Sequence, residues 1–268
     1  MSRKPVNLNI NRPIVIKIGG SILGSTDTTL QDLVKLQEAG IPTVVVHGGG
    51  QVISKWMANQ GLEPTFVNGL RVTDAASMEI VTAVLCGLVN KNLVSSLQSM
   101  GGRAWGMSGV DGSMIQANIL DKDLGYVGDI IRVNPHPIYQ ALEANYIPVI
   151  APVAINPSDS ISAEGNLLNL NGDTAAGEIA KAISAESIIF LTDVEGIRDS
   201  DGTLIDHLTI PIGESLIEAG TIAGGMIPKF QASKLAMETA NRAQIADGRK
   251  ERALIDFIDG VPSGTRIG

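Results

Sequence analysis

The stretch Ile14–Ser21, IVIKIGGS, constrains this chain more than any other. Its alternating aliphatics demand a buried strand, yet Lys17 interrupts them and Gly19-Gly20 follows at once. A lysine inside a buried strand is expensive unless its charge meets an anion. Two glycines at the strand end let backbone N–H groups approach that anion closely. The pattern therefore predicts a place where a phosphate is handled. The competing reading is a strand lysine whose ammonium reaches out to water.

The bulk numbers narrow the classes of partner. The 268 residues suffice for one large α/β domain or two lobes sharing a substantial core. Aromatics are only 3% of the chain, and aliphatics with Ala and Gly dominate, which suits a parallel sheet covered by helices. Lys+Arg 20 against Asp+Glu 28 gives a formal net charge of −8. That balance argues against nucleic acid or a membrane surface as partner, while leaving room for a small anion held by a few local cations. The single cysteine, Cys86, lies in an apolar run and is expected to be a buried structural thiol. The start MSRKPVNLNINRP has no apolar core of a leader, and no stretch of about 18 apolar residues occurs, so a cytoplasmic protein is expected.

Taken in order, a polar arm over residues 1–12 precedes a strand at 13–18. Leu30, Leu33, Val34 and Leu36 give a helical spacing over 28–39, closed by Gly40. A strand at 43–47 runs straight into Gly48-Gly49-Gly50, with a helix over 52–60 to follow. That join suits anion binding by backbone N–H groups and the helix dipole. Asn68-Gly69 marks a hairpin turn within 63–72. Thr73 or Asp74 caps a long helix reaching Met100, with Met78, Val81, Leu85, Leu88, Val89 and Leu93 on its apolar face. A strand over 104–107, a hairpin of 114–118 with 125–133, a helix over 138–145 and a strand over 147–151 come next. Residues 166–170 form a short strand or turn, 173–183 a helix and 187–193 a buried strand. The remainder reads as helices over 211–219 and 228–246 and a last strand over 253–257. Strands alternating with helices argue for a largely parallel sheet with right-handed crossovers. A faint change of composition near Ser184 divides the chain into lobes of 1–183 and 184–268.

Several phosphate chemistries are excluded. There is no G-x-x-x-x-G-K-[ST] and no Gly-Lys dipeptide, which argues against a Walker-type NTPase. No G-x-G-x-x-G occurs, nor a G-x-S-x-G elbow. His47, His136 and His207 are scattered and, with one cysteine, make no zinc pattern, so no protein-bound metal is expected.

Six stretches stand out together: KIGGS at 17–21, HGGG at 47–50, NGLRVTD at 68–74, NLNGD at 169–173, LTDVEGI at 191–197 and GGMIPK at 224–229. In this order and spacing the chain resembles the amino-acid kinase family from about Ile14 to Arg266, and within it the branch that phosphorylates N-acetyl-L-glutamate. The resemblance implies a three-layer open α/β sandwich with a mainly parallel central sheet. It implies an N-terminal lobe for the amino-acid substrate and dimerisation, and a C-terminal lobe for MgATP. Lys17 then matches the lysine that neutralises the transferring phosphoryl group, and Lys229 a second lysine on the nucleotide side. Asp173 matches the carboxylate that orients both, although it could equally cap the helix that follows. Arg71 matches the clamp on the substrate α-carboxylate, against a plain surface salt bridge, and Asn169 the contact to its acetamido group, against a turn residue. Gly49 and Gly50 fall on the substrate side. Gly19, Gly20, Asp193, Gly196, Gly224 and Met226 fall on the ATP side, with tight turns and loop capping as the plainer roles. Gly172 departs from the Ala of many relatives.

No general base is needed, because a carboxylate nucleophile is already ionised at neutral pH. A rival within the family acts on carrier-bound aminoadipate or glutamate and shares segments like Cys86–Lys91 and Ser108–Gly112. The intact Asn68–Arg71 loop and the acidic composition favour a free small substrate. A non-catalytic arginine or nucleotide sensor is the other alternative, and retention of Lys17, Asp173 and Lys229 speaks against it. Only 16 residues precede Lys17, Pro5 and Pro13 among them, so an arginine-insensitive homodimer is expected, with the helix ending at Met100 as its surface.

Overall fold

A computed structural model of the chain describes residues 12–20, 28–157 and 166–268. The polar arm expected over 1–12 lies, up to residue 11, outside the described residues, as does Ser21. The centre of the fold is an eight-stranded sheet. Its strands, edge to edge, are His207–Leu208, Thr265–Ile267, Arg242–Asp247, Ser187–Thr192, Ile14–Ile18, Thr43–His47, Ile147–Ala151 and Ala104–Ser108. Neighbours pair in parallel except Arg242–Asp247 with Thr265–Ile267, which run antiparallel. The strands before residue 184 form one half of this sheet and those after it the other half. Parallel pairing of Ile14–Ile18 with Ser187–Thr192 joins the halves.

The period of two in a strand sorts its side chains onto two cores. Ile14, Ile16, Ile18, Val45 and Val149 face one layer, which holds the helices Thr28–Glu38, Gly50–Asn59, Ala75–Ser99 and Ala253–Asp259. Val15, Val44, Val46, Ile188 and Phe190 face the other, which holds helices His136–Glu143, Gly172–Ala182 and Met226–Ala236. A four-stranded sheet on that second side runs Leu167–Asn169, Val153–Ile155, Ile115–Ile119 and Gly128–Val133. The result is the three-layer α/β sandwich expected. By the same alternation Lys17 stands on the face of Val15, toward Gly172–Ala182 and Met226–Ala236.

Several elements differ from the sequence reading. The helix expected over 228–246 ends at Ala236, and Arg242–Asp247 is a fully buried strand between two others. Residues 253–257, expected to be a strand, start the helix Ala253–Asp259, and the last strand is Thr265–Ile267. A short apolar run such as ALIDF carries no periodicity that separates the two. The long helix is interrupted by a π-helical segment, Ala83–Val89, between Ala75–Thr82 and Asn90–Ser99. That extra residue per turn rotates Leu88 outward to 38% exposure, while Leu97 joins the core. At 25 residues this helix is long and apolar enough to span a bilayer by composition, yet its Met78, Val81, Leu85 and Leu93 pack into the core of the fold.

Candidate active site

The ends of three parallel strands bring the singled-out residues together. Ile14–Ile18 delivers Lys17 and then Gly19-Gly20, Thr43–His47 delivers Gly48–Gly50, and Ser187–Thr192 delivers Asp193. Ligands in open α/β sheets bind outside such carboxyl ends. The turns are pinned to one another: Gly19 N donates to the Leu191 carbonyl at 3.0 Å, and Gly48 N to the Ile18 carbonyl at 2.9 Å. They also touch. A Cβ on Gly20 would lie 3.2 Å from Gly49 N and 3.4 Å from Gly50 N, so only glycine leaves this gap open to an incoming group.

Above the gap stands a cation–carboxylate–cation bridge. Asp173 Oδ1 lies 2.8 Å from Lys17 Nζ, and Asp173 Oδ2 lies 2.9 Å from Lys229 Nζ. All three side chains are largely withdrawn from water, at 8% exposure for Lys17, 7% for Asp173 and 13% for Lys229. Burial alone would raise the Asp173 pKa, but the ammonium groups of Lys17 and Lys229 outweigh it and hold the carboxyl below its ordinary value. Burial lowers the Lys17 pKa, aided by Lys229 and opposed by Asp173. The trio carries two positive charges against one negative, an excess that an anion can satisfy. Asp173 is not the helix cap: Asn171 Oδ1 accepts from the Asp173 and Thr174 N–H groups at 2.9 and 3.1 Å. Asn171 was missed in the sequence, although an Asn just before a helical run is a cap signal. Freed from capping, the Asp173 carboxylate serves the lysines alone.

A cavity of about 160 Å³ opens beside this bridge, lined by Gly49, Gly50, Arg71, Asn169 and Gly172 among others. The Asn68-Gly69 hairpin, with left-handed φ of 50° and 80°, carries Arg71 into it. The Arg71 guanidinium donates to the Gly50 carbonyl at 2.9 Å and to Ser54 Oγ at 2.8 Å, and rests 4.7 Å from the centre of the Phe66 ring. It makes no salt bridge with a described acidic residue, so its buried charge awaits an anion. Asn169 Nδ2 donates to Thr73 Oγ1 at 3.2 Å, which ties the pocket floor to the start of the long helix.

On the other side of Lys229, helix Met226–Ala236 begins at Met226, with Gly225 as its cap and Gly224 at φ 56°. A Cβ at either glycine would meet nothing within 4 Å, so this helix start faces open space. Asp193 is exposed and receives a hydrogen bond from Thr192 Oγ1 at 3.3 Å. Gly196 is buried instead, where a Cβ would fall 2.6 Å from Thr265 Oγ1. Its smallness serves packing between the loop and the last strand. Among the described residues no cluster of three or more His, Cys, Asp or Glu could hold a metal ion.

A carboxylate bridging two lysines beside two glycine turns, on an α/β sandwich, is an arrangement suited to a phosphotransferase. The chain belongs to the amino acid kinase family, whose model matches residues 12–247. A protein of Dehalococcoides mccartyi named acetylglutamate kinase is 42% identical over 96% of this chain and 94% of its own length. One of the same name from Thermoanaerobacter pseudethanolicus is 42% identical over 96% of this chain and 87% of its own. Among solved structures, smu.665 from Streptococcus mutans superposes with a TM-score of 0.79 at 32% identity, covering 95% of this chain and 98% of that one.

Proposed function

We propose that this chain transfers the γ-phosphoryl group of ATP, entering as MgATP, to the side-chain carboxylate of N-acetyl-L-glutamate. The products are ADP and N-acetyl-L-glutamyl 5-phosphate, the second step of arginine biosynthesis. The observation that carries this reading is the pairing of both Lys17 and Lys229 with one buried carboxylate, Asp173, beside the pocket of Arg71.

Arg71 grips the substrate α-carboxylate through its planar fork, and Asn169 meets the acetamido group. Gly49 and Gly50 offer N–H groups to the reacting carboxylate. Lys17 offsets the negative charge that spreads over the phosphoryl oxygens, and Lys229 does so from the nucleotide side. Gly19, Gly20 and the start of helix Met226–Ala236 cradle the phosphates, while Asp193 borders the nucleotide and Gly196 shapes its loop. The nucleophile is ionised from the outset, so rate comes from positioning and charge neutralisation. The acyl phosphate hydrolyses readily, and closure of the 1–183 lobe on the 184–268 lobe keeps water out.

We further place the enzyme in the cytoplasm, as a homodimer. Ala104–Ser108 ends the sheet, and near it Leu88, Met100 and Trp105 are exposed at 38%, 41% and 49%. These apolar groups along the long helix and the edge strand supply a self-complementary surface. Sedimentation at the monomer mass would refute the dimer.

A coupled ADP-release assay with N-acetylglutamate, glutamate, aspartate and aminoadipate tests the reaction. Turnover confined to N-acetylglutamate is expected. Absence of turnover with it, or preference for aminoadipate, refutes the assignment.

A further inference from the structure

His47 closes the strand before the glycine turn, and its imidazole is fully buried on the face opposite Lys17. Its Nδ1 lies 2.9 Å from the Gly48 carbonyl oxygen, and its Nε2 lies 3.2 Å from Asn90 Nδ2. The proton on that ring can be located from the neighbours. Asn90 Nδ2 also donates to the Val149 carbonyl at 2.8 Å and the Met107 carbonyl at 3.3 Å, two groups that only accept. Asn90 Oδ1 accepts from Lys91 Nζ at 2.9 Å. The Asn90 amide orientation is thereby fixed: its NH2 shares two hydrogens among the two carbonyls and His47 Nε2, so it presents only donors to Nε2, and Nδ1, facing a carbonyl that only accepts, carries the ring hydrogen.

The consequence reaches the anion site. In a planar trans peptide the C=O and the following N–H point in opposite directions. Holding the Gly48 carbonyl toward the imidazole turns the Gly49 N–H away from it. Gly49 N lies at the gap between the turns, 3.2 Å from where a Gly20 Cβ would be. Two glycines make room for this arrangement. A Cβ on Gly106 would sit 2.1 Å from Asn90 Oδ1, and one on Gly49 would sit 2.6 Å from Leu85 of the π-helical segment. π-helical segments often occur at functional sites, and this one ends directly before Asn90.

We propose that Asn90 is a positioning residue for phosphoryl transfer, fixing the Nδ1–H tautomer of His47 so that the Gly48–Gly49 peptide aims its N–H at the reacting anion. This rests on the phosphotransferase reading of the site. Burial, opposed by the hydrogen bond to Gly48 and aided by the charges of Lys17 and Lys91, lowers the ring pKa to about 4, which keeps it neutral during turnover.

Two measurements test it. Two-dimensional ¹⁵N–¹H spectra of the wild-type histidine rings at pH 7 should show His47, assigned with a His47→Gln variant, as neutral with the hydrogen on Nδ1. A ring protonated on Nε2 alone, or charged, overturns the proposal. In Asn90→Ala the ring should become a tautomer mixture, kcat should fall about 10- to 100-fold, and KM for N-acetylglutamate should stay within about threefold, since Arg71 is untouched. Wild-type kcat in Asn90→Ala with a shifted tautomer also overturns it. An inactive wild type instead refutes the phosphotransferase reading itself. If Asn90→Ala fails to fold, the wild-type ring spectrum decides alone.

Discussion

Lys17 Nζ and Asp173 Oδ1 stand 2.8 Å apart although one is carried by the central strand and the other by a helix more than 150 residues further along the chain. The second oxygen of that carboxylate holds Lys229, so either lysine can be lost without leaving Asp173 unpaired. Lys17→Ala should therefore keep the fold while lowering kcat by about 10²–10³, the scale of losing one preorganised charge at a developing transition state. Asp173→Ala should behave oppositely in stability. It leaves two ammonium groups buried together and should cost about 3–5 kcal/mol of unfolding free energy. Steady-state ADP release and urea unfolding of both variants separate the roles. Full activity in Lys17→Ala would remove it from the chemistry.

His47 makes the fold sensitive to mild acid. Burial, with help from Lys17 and Lys91, lowers its pKa from 6.5 to about 4, and only the hydrogen bond to Gly48 opposes the shift. A folded-state histidine pKa below the unfolded value stabilises fully above pH 6.5, and the contribution disappears as pH falls toward 4. Between pH 6.5 and 5 the wild type should lose about 1.5 kcal/mol through this group. Urea unfolding at those two pH values should show that loss, and His47→Gln should lose correspondingly less. Equal pH dependence in both proteins would mean that the ring is not held neutral.

How much of this was legible before the coordinates depended on whether the signal was local. The strand at 43–47, the hairpin at Asn68-Gly69 and the cap at Asp74, which accepts from Ser77 N at 2.8 Å, each follow from neighbours in sequence. The buried strand Arg242–Asp247 did not, because Arg242, Gln244 and Asp247 look solvent-facing in sequence. In the fold Arg242 donates to the Phe257 carbonyl and stacks on its ring, and Gln244 donates to the Ser263 carbonyl. The candidate site was singled out through the order of its motifs. The structure added the division of labour between Asn171 and Asp173, for which the Asn before the helix was an overlooked signal, and the buried contact of His47 with Asn90, 43 residues apart, which no pattern in the sequence announces.

Gly20 and Gly49 meet across the gap between the two turns, where added bulk would be felt first. A methyl at Gly20 would press on Gly49 N at 3.2 Å and Gly50 N at 3.4 Å, both backbone atoms with little freedom to retreat. Gly20→Ala should lower kcat/KM for ATP by about tenfold or more, as a displaced turn misplaces the phosphates. The melting temperature should change little, because the gap is a surface crevice and not core. Unaltered kinetics in Gly20→Ala would show that phosphate does not enter there.

Gly172 offers the reverse experiment. It is the first residue of helix Gly172–Ala182, and its φ is not among the positive ones. A Cβ there would lie 3.5 Å from Lys17 Cε, 3.6 Å from the His47 carbonyl oxygen and 3.8 Å from Pro152, all ordinary van der Waals contacts. Alanine thus fits without displacing any atom of the site, and it narrows the unfolded ensemble that glycine leaves broad. Gly172→Ala should stabilise the protein by about 0.4–1 kcal/mol, which for a chain of this size raises the melting temperature by about 1–4 °C. Because the new methyl would meet Lys17 Cε only at an ordinary contact distance of 3.5 Å, kcat should stay within about twofold of wild type. Scanning calorimetry and the ADP-release assay on one preparation check both halves. A lower melting temperature would mean that the turn between Asn171 and Asp173 has less room than these distances give it.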